Sequence, residues 1–156
     1  MKKSSSDWNA GLIHFGIAAV AVPVVLSIML SLPYWFMLEY DLLPRNLDLF
    51  AFPLLSGIPV YVLITNTIIL LSGTWYSARY FKRNIIVNHS KQVIIYATVY
   101  LALFSALFDY WDYYNLSQEG MVPENYFVLM LVKYLASLAM FYGTSWYFFK
   151  KQGVLN

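Results

Sequence analysis

Long apolar runs separated by short polar segments set the pattern of this chain. No Asp, Glu, Lys or Arg falls between Trp8 and Leu38, or between Leu49 and Ala78. Gln92 to Phe108 is equally free of them, and Asn125 to Phe149 carries only Lys133. A helix needs roughly 20 predominantly apolar residues to cross hydrocarbon, and each run is near or beyond that length. The pattern therefore predicts an all-α integral membrane protein, a single domain over residues 1–156. Its four transmembrane helices are expected at approximately 11–38, 49–77, 92–114 and 125–149, paired as two antiparallel hairpins. A tight turn around Leu43-Pro44-Arg45-Asn46 closes the first hairpin, and a basic connection over 78–91 leads to the second.

The charges then give these spans a direction. Lys2, Lys3, Arg79, Lys82, Arg83, Lys91, Lys150 and Lys151, eight of the ten Lys and Arg residues, fall on one side. Seven of the eight acids, Glu39, Asp41, Asp48, Asp109, Asp112, Glu119 and Glu124, fall towards the other, with Arg45 the lone loop cation there. Basic loops stay in the cytoplasm. Both termini are therefore expected inside, in a multi-pass protein of a bacterial inner membrane.

Composition agrees: 60% hydrophobic, 19% aromatic and 12% charged residues are too apolar for a soluble domain of this size. The net charge of +2 is no nucleic-acid signature, because the cations sit at membrane edges. There is no cysteine, which removes disulfides and thiolate metal sites together. The basic start followed by an apolar run reads as a retained first span, since the run far exceeds a signal-peptide core. Asn115-Leu116-Ser117 matches a glycosylation sequon, a pattern short enough to arise by chance.

Polar and small positions inside the spans point to packing faces. Thr98, Ala102, Ser105, Asp109 and Asp112 recur at helical spacing on the third span; Lys133, Ser137, Met140 and Thr144 do so on the fourth, beside Ala136, Ala139 and Gly143. Small residues let helices approach where lipid offers no hydrophobic drive. Spans three and four are thus expected to pack through these faces. Asn66 should face protein for the same reason, and Pro23, Pro53 and Pro59 should bend their helices.

Lys133 is the sharpest candidate for function. It lies seven positions after Tyr126, about 10 Å along the axis from the outer end of its span; burying it would cost on the order of 2.5–3.5 kcal/mol near a span centre, and on antiparallel neighbours Asp109 lies within its reach, with Asp112 one turn further out. The pair reads either as a register-fixing ion pair or as a gating pair on an ion path. Tyr110, Trp111, Tyr113 and Tyr114 form an aromatic patch at the outer face, suited to anchoring or to an extracytoplasmic partner. Tyr34, Trp35, Tyr76, Tyr80, Trp146 and Tyr147 cluster at other span ends in the same way. Arg79, Lys82, Arg83 and Lys91 offer a patch for anionic lipid or a cytoplasmic protein. His14 and His89 fall in separate segments and suggest no haem ligation.

No catalytic, cofactor or metal motif is present, so the expectation is a non-enzymatic membrane subunit. It would oligomerise or anchor a partner as a sensor or scaffold, coupling an outer-face event to the cytoplasm. Two alternatives stand beside it: a small ion or proton channel or transporter subunit, and an immunity or exclusion protein blocking another membrane protein. The layout, though no motif, is similar to that of the membrane subunit of the Kiwa antiphage system and of some pore-forming colicin immunity proteins.

Overall fold

The computed structural model describes residues 3–29, 60–118, 120, 122 and 125–155, leaving aside the side chains of residues 3, 60–66 and 112. The expected turn at residues 43–46, together with Tyr34, Trp35, Pro53 and Pro59, lies outside them. The chain is mostly helical. Three described helices are long and apolar enough to cross a membrane: α1 (Asp7–Met29), α3 (Ser90–Gln118) and α4 (Tyr126–Lys151). Such helices suggest a membrane protein. A further helix, α2, spans Val60–Asn84, and the two-residue strands β1 (Lys3–Ser4) and β2 (Ile85–Ile86) complete the elements.

Ser6 caps α1, its hydroxyl accepting the Asn9 N–H at 3.4 Å, and Asp7 sits in the first turn, where the helix dipole favours an acid. The helix then widens into a π-helical stretch over Gly16–Ala21, just before Pro23. Proline has no N–H to donate, and in a regular turn its ring would strike the carbonyl four residues back. The wider turn relieves that conflict, and the Val22 N–H donates to Ile17 instead.

α2 runs past the boundary expected at residue 77. Its last two turns contain Arg79, Lys82 and Arg83, which the sequence had assigned to a connection over 78–91. The helix continues because Ala78 and Phe81 are core residues with no exposed surface, and because cations near a helix C-terminus are favoured by its dipole. The connection to α3 shrinks to residues 85–89.

β2, within that connection, pairs in parallel with β1, matching Lys3 to Ile85 and Ser4 to Ile86. The helices that follow the two strands also run in parallel: Trp8 packs edge-on against Tyr96, and Phe15 against Phe104. α1 and α3 approach so closely at Gly11 that a Cβ there would lie 2.6 Å from the Tyr96 Cβ. α2 runs antiparallel to α1, and α4 antiparallel to α3. At the end of α4, Gly153 adopts φ +67°, so that Val154 N–H reaches Phe149 O and Gly153 N–H reaches Lys150 O.

Both terminal segments and the 85–89 connection converge on one buried cluster of Ala10, Ala78, Phe81, Ile85, Val87, Val93, Ile94, Phe149 and Val154. A second cluster deeper along the helices joins Phe15, Ala18, Ala97 and Phe141. Among the described residues, Arg79, Lys82, Arg83, Lys91, Lys150 and Lys151 therefore gather at one end.

The expected pairing of α3 and α4 through small residues needs correction. α3 does meet α4 at Ala102 and Asp109: the Tyr134 hydroxyl donates to Ala102 O at 3.1 Å and Lys133 Nζ to Asp109 Oδ1 at 2.9 Å. α4 thus meets α3 with Tyr134 and Lys133, while its buried residues are Phe141, Phe149 and Ser145, the last bonded to His14 of α1. Ala136, Ala139 and Gly143 are exposed, and a Cβ on Gly143 meets no described atom within 4 Å. The large rings fill the gap between helices, and Ser145 brings a hydrogen bond that the small stripe lacks.

Candidate functional site

The most distinctive polar geometry lies at the end of α3 and α4 away from the termini. Lys133 Nζ donates to Asp109 Oδ1 at 2.9 Å. The two partners differ sharply in surroundings, the carboxylate side chain being 9% exposed and the lysine 68%. Asp109 is thus fixed in the protein, whereas Lys133 reaches it from outside. Tyr126 donates its hydroxyl to the Asp109 carbonyl at 3.5 Å, and its ring stands 5.8 Å from that of Tyr113, which also lies 5.2 Å from Phe127.

Between these rings and the pair is an open groove of about 290 Å³, lined by Ala106, Asp109, Tyr110, Tyr113, Phe127, Met130, Leu131 and Tyr134. Its walls are almost wholly apolar apart from the carboxylate. A 30 Å hydrocarbon layer takes up about 20 helical residues. Counted from Lys91 and Lys150 at the basic end, such a layer would finish near residues 111 of α3 and 130 of α4. Asp109 and Lys133 then fall within about one turn of its boundary.

The other sequence candidates are dispersed. Tyr110, Trp111 and Tyr114 are exposed, while Tyr113 is half-buried among the groove rings. The side chains of Asp112 and Asn66 lie outside the described set. At the basic end Arg79 stacks over Trp75 at 5.4 Å, Lys91 over Trp146 at 5.7 Å and Lys151 over Tyr147 at 5.7 Å, while Lys82 and Arg83 are exposed. Cations held over rings at a helix end are suited to a headgroup layer. Nearby, His89 Nδ1 meets Asp7 Oδ2 at 2.8 Å, and its backbone N–H donates to Asp7 Oδ1 at 3.3 Å, tying the start of α1 to the connection.

Sequence reasoning passed over a buried trio. His14 has no exposed surface; its Nδ1 lies 2.7 Å from Ser77 Oγ and its Nε2 2.9 Å from Ser145 Oγ. Phe81, Phe141 and Phe149 surround the ring at 6.0, 5.5 and 4.8 Å. A hydroxyl can donate or accept, so two serines satisfy both imidazole nitrogens in either tautomer. The signal was an imidazole in a run without other ionisable groups, but its partners come from α2 and α4, and no spacing connects them. The trio joins three helices inside the core.

Among the described residues no group of three or more His, Asp or Glu stands where it could hold a metal. No protein-family model, curated protein or solved structure matches the chain.

Proposed function

We propose that the chain is a non-enzymatic subunit of a bacterial inner membrane that crosses it four times with both termini in the cytoplasm. It associates with further copies of itself or with a partner, acting as a sensor, scaffold or anchor that couples an outer-face event to the cytoplasm. The observation that carries this reading is the exposed face of α4, where Ala136, Ser137, Ala139 and Gly143 lie open and a Cβ on Gly143 would meet no described atom within 4 Å. In a bilayer a small-residue face gains little from lipid and more from a second helix that can approach it closely.

Cysteines placed at Ala139 or Gly143 in native membranes are expected to cross-link copies through α4, whereas cysteine at Leu131 is not. Cross-linking at Leu131 alone, or at none of these sites with no co-purifying chain, would overturn the association. Sidedness is tested separately by labelling cysteines at Lys82 and Ser117, which should react from opposite faces of the membrane.

One observation favours the channel or transporter reading, namely the ion pair near the edge of the hydrocarbon layer, since intramembrane ionisable groups mark ion and proton paths. Proton or cation flux in proteoliposomes that Asp109→Asn abolishes would support it over the scaffold.

A further inference from the structure

The groove between α3 and α4 has a carboxylate and aromatic side chains in its wall, and the exposed Lys133 ammonium is paired with that carboxylate. An apolar groove near the edge of a hydrocarbon layer suits acyl chains. A groove with a built-in opposite-charge pair suits a molecule that carries the same two charges in reverse. We propose that it is a binding site for a phosphoethanolamine-type lipid headgroup, with the lipid ammonium on Asp109 and the lipid phosphate on Lys133. The proposal rests on the membrane-spanning reading and is independent of self-association.

Three observations favour this occupant. First, the exchange leaves no charge alone: Lys133 releases Asp109 to the lipid ammonium and takes the phosphate in return, so each of the four groups ends with a partner of opposite charge. Second, the asymmetry of the resident pair permits it, because the exposed lysine can turn outward while the enclosed carboxylate stays in place. Third, Asp109 already accepts a hydrogen bond from a primary ammonium at 2.9 Å. Ethanolamine can reproduce that bond, whereas the methylated nitrogen of choline has no N–H to donate. Tyr110, Tyr113 and Tyr134 add ring faces for the cation, and Ala106, Met130 and Leu131 give the upper acyl chain an apolar wall.

The test is native mass spectrometry of the full chain, released from mild detergent containing equal amounts of dioleoyl phosphatidylethanolamine, phosphatidylcholine and phosphatidylglycerol. The wild-type chain is expected to retain phosphatidylethanolamine over phosphatidylcholine by about tenfold, the scale of one charge-assisted hydrogen bond. Asp109→Asn and Lys133→Met should each abolish that preference, and Asp109→Glu should keep it. Ala106→Phe, which fills the groove without touching either charge, should also abolish it. Equal retention of the three lipids by the wild type, a preference for phosphatidylglycerol, or a preference that survives both Asp109→Asn and Ala106→Phe would overturn the proposal. The wild-type measurement stands even if a variant misfolds. A chain that fails to fractionate with membranes would refute the membrane reading instead.

Discussion

Gly73 of α2 lies against the backbone of Ala18, inside the π-helical stretch of α1, so closely that a Cβ on Gly73 would collide with the Ala18 carbonyl oxygen. Neither backbone can retreat without opening the α1–α2 contact. Gly73→Ala is therefore expected to cost about 1–3 kcal/mol through overpacking. Gly143→Ala on the open face of α4 should be neutral or stabilising by up to about 1 kcal/mol within one chain, the usual helix-propensity gain, its effect on association being read separately by the cross-linking through α4. Thermal melts of both variants in mild detergent check the contrast, and the reverse order would mean that the faces are exchanged.

The buried trio makes a second prediction. Ser77→Ala or Ser145→Ala leaves one nitrogen of His14 buried without a partner, at an expected cost of about 1–3 kcal/mol. Removing all three polar groups together, as His14→Leu with Ser77→Ala and Ser145→Ala, should cost less than the sum of the single changes, because no group is then orphaned. Strict additivity would show that the three do not act as a unit.

For Lys133 and Asp109 the enclosed partner decides the sign. Lys133→Met strands the carboxylate in a mostly apolar groove and should destabilise more than Asp109→Asn, which frees a lysine able to reach the headgroup layer. The double variant should be milder than Lys133→Met alone. Reversible unfolding in detergent, analysed as a double-mutant cycle, measures the coupling; a coupling near zero would reduce the pair to a surface contact.

Tyr100 carries the one buried side-chain polar atom that lacks a hydrogen-bond partner among the described residues, its hydroxyl. Tyr100→Phe should leave stability unchanged or raise it by up to about 1 kcal/mol, since a group buried without a bond contributes only its desolvation cost. A clear loss of stability in the same melts would reveal a partner for that hydroxyl.

The ends of α3 and α4 were legible to within a few residues because Lys91, Asn125 and Lys150 bracket runs free of competing signals. The matching of Lys133 with Asp109 was also legible, since rise per residue on antiparallel helices is a local quantity, and the structure has the two groups 2.9 Å apart. Rotation of α4 about its axis was not. Its small stripe through Ala136, Ala139 and Gly143 and its aromatic stripe through Tyr134, Phe141 and Phe149 have the same period. The choice between them depends on the His14–Ser145 contact, which joins positions 131 apart. The extension of α2 through Arg83 was hidden likewise, because a basic cluster marks the edge of a membrane and the last turn of a helix equally well.

The tie between the start of α1 and the 85–89 connection has a consequence for biogenesis. The Asp7 side chain cannot meet His89 until the ribosome has made the intervening stretch, a separation of 82 positions. At about 5–20 residues per second that delay is roughly 4–16 s. α1 therefore leaves the ribosome well before α3, its parallel neighbour, is available. Throughout that interval the flank of α1 that α3 will later cover, including the notch at Gly11, is open to lipid, to insertion machinery or to another nascent chain. The contact of the first helix with α3 is thus an event of late synthesis, whereas its contact with α2 can form earlier.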